Sequence, residues 1–82
     1  MNKYLVNIYI PLLEEKFDVM IASSKRVKDV IYYVSSIVSN LTDNEFKVKN
    51  YSLINRLTGN VYDSSLLIAD TDISNGTELI II

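Results

Sequence analysis

One stretch of this sequence, and one only, repeats its apolar residues at helical spacing: Val27, Val30, Ile31, Val34, Ile37, Val38 and Leu41 recur at steps of three and four. A chain with a single amphipathic helix has one apolar stripe to hide, and a sheet on one side of it is the simplest layer that does so. The stripe is dominated by Val and Ile, which are mediocre helix formers, so packing on that sheet rather than intrinsic propensity must hold the helix. Ser23 and Ser24 stand where N-caps are expected.

The rest of the chain reads as strands and turns. Over residues 4–10, Val6, Ile8 and Ile10 share one face of a period-two pattern and Leu5, Asn7 and Tyr9 share the other. Pro11 cannot donate to a ladder and closes this strand in a loop. Residues 16–21 alternate again, with Phe17, Val19 and Ile21 inward against Lys16, Asp18 and Met20, so the two strands form an antiparallel hairpin. Beyond the helix, Asn40, Thr42, Asp43 and Asn44 make a polar stop, and Phe46 and Val48 mark a short extended segment. A strand follows over residues 51–57, then a turn at Thr58, Gly59 and Asn60 and a brief return at Val61 and Tyr62. Asp63, Ser64 and Ser65 turn the chain again, and residues 66–69 begin an irregular or short helical passage. Asn75-Gly76 is the clearest tight-turn signal and opens a last strand over residues 77–82, with Leu79 and Ile81 on one side and Ile80 and Ile82 on the other. The order predicts an α+β domain of β-grasp type: a hairpin, one helix, a further strand with a short return, and a final strand beside the first at the centre of a mixed sheet.

Composition sets limits on function. Eighty-two residues make one domain over residues 1–82, and a chain this short buries only ~60–65% of the surface its unfolded form exposes. Apolar residues make up 49% of it, against two Gly and one Pro, which predicts order from end to end. It has no cysteine, so disulfides, thiolate metal sites and thiol chemistry are excluded, and no histidine, which removes the commonest general base and transition-metal ligand. The first ten residues carry one Lys and no small-residue cleavage pattern, so they do not read as a signal peptide. No apolar run approaches the ~20 residues needed to span a bilayer, and a soluble protein is expected. A net charge of −2 with interspersed signs is not the footprint of a nucleic-acid binder, which leaves proteins as the default partners.

The closing residues carry a resemblance. Ile68, Asp70, Ile73, the Asn75-Gly76 turn and the alternating Leu79, Ile80 and Ile81 resemble the last third of ubiquitin-like proteins, and the similarity runs along almost the whole chain. Ile68 and Ile73 would plug the open end of the core, and Gly76 permits the turn into the central strand. Within that family the sequence is similar to the small bacterial YukD/EsaB group of type VII secretion, in its length, in ending at the last strand and in its Ile73-Ser74-Asn75-Gly76 turn. The resemblance implies a cytoplasmic accessory component without a cofactor, brought to the inner face of the membrane through partners. It would support export of small Trp-Xaa-Gly-motif helical proteins by docking to, or regulating, a membrane-bound translocase with an ATPase. Ubiquitin itself is conjugated through a flexible Gly-Gly tail; here Ile80-Ile81-Ile82 stand in a strand, so conjugation and thiocarboxylation are not expected.

The candidate protein-binding residues follow from the alternation. With Val6, Ile8, Leu79 and Ile81 inward, Leu5, Tyr9, Ile80 and Ile82 face outward from the two central strands and form an apolar patch, which either Leu53 or Ile54 extends. Tyr suits such a surface because it brings contact area at little entropic cost. Leu12 and Leu13 are unusual in a hairpin loop, where they either fold back on the core edge or add a mobile apolar rim to the patch. Lys25, Arg26 and Lys28 cluster where the helix dipole disfavours positive charge; a solvated turn or contact with an acidic partner accounts for them. Tyr32 and Tyr33 fall off the apolar stripe. Asp70 and Asp72 lack the ligand spacing of a Ca²⁺ loop and are better explained by local Asx turns. No convergent catalytic set is present, so an enzyme is not expected. The alternative to docking is self-association through the sheet face or an edge strand.

Overall fold

The computed structural model describes residues 2–41 and 51–82. The polar stop at Thr42, Asp43 and Asn44 and the segment around Phe46 and Val48 lie outside them. The first hairpin pairs β1 (Lys3–Ile10) with β2 (Glu15–Ala22) in antiparallel register, Val6 opposite Val19 and Tyr9 opposite Lys16. Its loop is two overlapping turns: the Leu13 N–H donates to the Ile10 carbonyl at 3.1 Å and the Glu14 N–H to the Pro11 carbonyl at 3.1 Å, with Glu14 at φ 53°. Pro11 thus begins the turn, as its fixed φ and missing donor favour.

Helix α1 (Val27–Leu41) follows, and its start departs from the sequence expectation. Neither Ser23 nor Ser24 is the N-cap: Arg26 precedes the first helical residue, and Asp29 reaches back so that its Oδ2 accepts the Arg26 N–H at 3.0 Å. This is the reciprocal half of a capping box without its hydroxyl half. The missing acceptors come from far along the chain. The Val27 N–H donates to the Leu66 carbonyl at 2.9 Å and the Lys28 N–H to the Ser64 carbonyl at 3.0 Å, so a tertiary loop caps the helix. Arg26 clamps that loop from its other side, its Nη1 donating to the Ser65 carbonyl at 2.5 Å.

Strand β3 (Leu53–Asn55) is shorter than the expected residues 51–57, because the chain turns at once: the Asn55 side chain accepts the N–H groups of Leu57 and Thr58. Val61 returns to bridge Ile54, a 3₁₀ turn spans Ile68–Asp70, and β4 (Glu78–Ile81) completes a four-stranded sheet of order β2-β1-β4-β3. β4 runs parallel to β1 at the centre and antiparallel to β3. The Asn75-Gly76 turn docks β4 onto β1: Asn75 Oδ1 accepts the Leu5 N–H at 2.9 Å and the Gly76 N–H donates to the Leu5 carbonyl at 2.8 Å, with Gly76 at φ 85°. Only glycine adopts that dihedral without strain.

The core lies between the sheet and α1. Ile8, Ile10, Leu53, Ile68 and Leu79 are wholly buried, with Val6, Val27, Val34, Val38 and Ile81 at 1% exposure or less. Ile68 and Ile73 are both buried as expected. Ile37, expected in the stripe, is only half-buried, while Ser35 is fully buried and donates its hydroxyl to the Ile31 carbonyl at 2.7 Å. Asp72 is no local turn-former either: its Oδ1 accepts the Tyr62 hydroxyl at 2.5 Å.

Candidate protein-binding surface

The face of the sheet turned away from α1 is ordered in rows by the strand registers. Tyr9 pairs with Ile80, Ile80 pairs with Ile54, and Ile54 bridges Val61, so four apolar side chains lie side by side across β1, β4, β3 and the return. The register therefore decides the alternative left open by the alternation: Leu53 is wholly buried, and Ile54 joins the outward face. Ile82 continues this face one step along the chain at 61% exposure, its N–H and carbonyl both bonded to Ser52. Tyr9, Ile80 and Ile54 are half-buried by one another, whereas Val61 is exposed.

Arg56 is the charged member of the surface. It follows Asn55 on the outward side and reaches across β4 until its guanidinium carbon lies 5.4 Å from the centroid of the Tyr9 ring. Arg and Tyr are the residue types enriched where binding energy concentrates. Arg56 and Val61 were not singled out from the sequence. The turn at residues 58–60 is the signal that places Val61 opposite Ile54.

Leu5 does not belong to this cluster. It stands opposite Met20, and both are exposed, but a polar row separates them from Tyr9: Asn7 pairs with Asp18 and Glu78, and its Nδ2 donates to Asp18 Oδ1 at 3.1 Å. The two loop leucines also part company. Leu13 folds back and packs against the core, while Leu12 is 70% exposed at the hairpin tip. Of the basic trio, Lys25 and Arg26 precede the helix, Arg26 holds the loop at Ser65, and Lys28 alone lies in the first turn.

Behind the surface, Asn55 sits on the core side opposite Leu79, and its Nδ2 donates to the Tyr62 hydroxyl at 3.0 Å. Burial, and then the Asp72 carboxylate that accepts its hydrogen bond, hold the Tyr62 phenol above its ordinary pKa. At the loop capping α1, the Ser65 hydroxyl and N–H bonded to Asp63 Oδ1 hold that carboxyl below its ordinary value. Among the described residues no group of three or more acidic side chains is placed to hold a metal ion, and no helix is long and apolar enough to cross a membrane.

No family model matches the sequence, and no curated protein matches it as a relative. Solved structures do match it. A ubiquitin-like domain of an Arabidopsis thaliana protein superposes with a TM-score of 0.74 at 18% identity, over 100% of this chain and 78% of that one. The fold is the ubiquitin-like β-grasp. The EccD5 ubiquitin-like domain from Mycobacterium xenopi superposes with a TM-score of 0.77 at 11% identity, over 100% of this chain and 94% of that one. A chain of the ESX-5 inner membrane complex matches with a TM-score of 0.70 at 14% identity, over 100% of this chain and 21% of its own length. At such identities the likeness is one of ubiquitin-like fold.

Proposed function

We propose that this ubiquitin-like domain is a non-catalytic docking module of a bacterial type VII secretion machinery, of the YukD/EsaB kind, and that it binds a protein component of that machinery through its outward sheet face. The observation that carries the docking role is the row Tyr9, Ile80 and Ile54, flanked by Ile82 and capped by Arg56. It is an apolar centre with an aromatic and an Arg anchor, on strands whose geometry is fixed from behind by the core. The secretion role is supported by the closing motif from Ile68 to Ile81 and by the fold-level likeness to EccD5 and to a chain of the ESX-5 complex. In this reading the domain works in the cytoplasm as a single unit and reaches the membrane through its partner. It acts by non-covalent contact. The surface is best described by Tyr9, Ile54, Arg56, Ile80 and Ile82, with Leu12 at its rim and Leu5 on a separate patch.

The test is cross-linked co-purification of the tagged full chain from membranes of its source organism. A secretion ATPase or translocase subunit should be recovered, and an Ile80→Asp variant with an unchanged circular dichroism spectrum should lose it. Recovery of no secretion component would remove the secretion role. Undiminished recovery with the Ile80 variant, or a light-scattering mass showing the sheet face closed in a homodimer, would remove the assigned surface.

A further inference from the structure

The turn that docks β4 onto β1 is also where the chain can react with itself. Asn75-Gly76 is the single Asn followed by Gly in the sequence. In such a pair the glycine nitrogen lies within reach of the asparagine side-chain carbonyl carbon, and the missing Cβ leaves that nitrogen unscreened. The Gly76 nitrogen loses its proton and bonds to Asn75 Cγ; the Cγ–Nδ2 bond breaks and Nδ2 leaves as ammonia. Water then opens the resulting succinimide at either carbonyl, giving aspartate or isoaspartate at position 75. Nothing is oxidised or reduced, and water is the only co-reactant.

In the folded chain one residue, Leu5, holds both reacting groups. Asn75 Oδ1 accepts the Leu5 N–H at 2.9 Å, and the Gly76 N–H donates to the Leu5 carbonyl at 2.8 Å. Asn75 and Gly76 are exposed, so water reaches them and burial does not protect them. Protection comes from the two bonds: a deprotonated Gly76 nitrogen would face the lone pairs of the Leu5 oxygen, and Asn75 Cγ can rotate toward it only by releasing the Leu5 N–H. The flanks are fixed as well. Thr77 closes the turn through its N–H on the Ser74 carbonyl at 3.1 Å and its Oγ1, which accepts the Ser74 N–H at 3.0 Å, and its carbonyl accepts the Asn7 N–H at 3.1 Å. The reacting groups are therefore freed together, when the turn parts from β1.

We propose that Asn75 is a self-modification site gated by the junction of β1 and β4: it stays asparagine while Leu5 clips the turn, and it converts through the succinimide to aspartate and isoaspartate once β4 opens. The two products differ in consequence. Aspartate keeps an acceptor oxygen for the Leu5 N–H, whereas isoaspartate routes the main chain through the side-chain carbons, lengthens it by one carbon and displaces the Gly76 N–H from the Leu5 carbonyl. A chain that has let β4 go is thereby marked, and its isoaspartate form docks the strand less firmly. The site does not depend on the secretion reading.

The test incubates the full chain at one mildly alkaline pH in buffer, in urea below the unfolding midpoint and in urea above it. Peptide mapping by mass spectrometry reads conversion at each asparagine, and amide exchange is followed at Gly76. Asn75 should convert first in the unfolded chain and at least about tenfold more slowly in buffer, which corresponds to about 1.4 kcal/mol of opening free energy. Below the midpoint its conversion should rise in step with Gly76 exchange, since one opening exposes both. The isoaspartate form, separated by chromatography and refolded, should have a lower urea midpoint than the unaltered chain, and Asn75→Asp, which keeps the acceptor oxygen, should lie between the two. The proposal is overturned by equal conversion in buffer and in unfolding urea, by conversion of another asparagine ahead of Asn75, by conversion that does not follow Gly76 exchange, or by an isoaspartate form with an unaltered midpoint.

Discussion

Asn55→Ala probes the device that shapes the docking face from behind. Asn55 is 8% exposed, and its side chain makes three bonds: Oδ1 accepts the Leu57 N–H at 2.9 Å and the Thr58 N–H at 3.1 Å, and Nδ2 donates to the Tyr62 hydroxyl at 3.0 Å. The backbone pairs of residue 55 with Asn60 and Gly59 survive the substitution, so the loss is that of the side chain alone. With a net worth of ~0.5–1.5 kcal/mol per bond, and with the two N–H groups only part-buried and able to recruit water, the expected cost is about 2–3 kcal/mol. Tyr62→Phe removes the same Asn55 bond and the charge-assisted bond to Asp72, and its expected cost is also about 2–3 kcal/mol. One bond is counted in both single variants, so the double variant should be less destabilised than their sum by about 1 kcal/mol. Urea unfolding of the four proteins, followed by circular dichroism with unchanged m-values, measures this directly. Additivity within ~0.3 kcal/mol would refute a shared Asn55–Tyr62 bond, and with it the account of how Asn55 is held behind the docking face.

Three further outcomes follow from particular residues. Leu79→Ala should cost ~2–5 kcal/mol and the adjacent Ile80→Ala about 1 kcal/mol or less; the reverse order in thermal or urea unfolding would contradict the register of β4. The Tyr62 pKa is raised, so the neutral phenol is favoured in the folded chain; its contribution is complete below the ordinary value of about 10 and is lost as pH rises through the higher folded value. Stability above about pH 10 should therefore fall more steeply in the unaltered chain than in Tyr62→Phe, and equal slopes would count against the burial and the Asp72 contact that raise the pKa. Gly76→Ala meets nothing within 4 Å but must hold φ 85°, so a loss of about 1–2 kcal/mol from backbone strain alone is expected, checked by the shift in urea midpoint.

The parts of the fold legible in the sequence are those carried by local periodicity. Alternation in residues 4–10 and 16–21 placed the hairpin and its inward face, and the three- and four-residue steps from Val27 placed α1. Asn75-Gly76 placed the turn into β4 because its conformation is a property of the dipeptide. The candidate surface was legible in part: Tyr9, Ile80 and Ile82 face outward as alternation requires. Arg56 and Val61 escaped because their membership depends on which residue lies across the strand boundary, and no local pattern carries that.

What the chain's own residues determined, then, is the order of elements, the two faces of each strand, and the exclusion of cysteine and histidine chemistry. Tertiary structure alone decided how the helix begins, since the Ser64 and Leu66 carbonyls that cap it lie more than thirty residues away from the donors they satisfy. It also decided that Ile54 and not Leu53 joins the sheet face, and that Asn55, a polar residue, belongs on the core side, where it donates to the Tyr62 hydroxyl, which in turn donates to Asp72. The reason is the same in each case: a period-two pattern fixes which residues share a face but not which strands are neighbours, and hydrogen bonds between distant segments exist only once the sheet has set their separation.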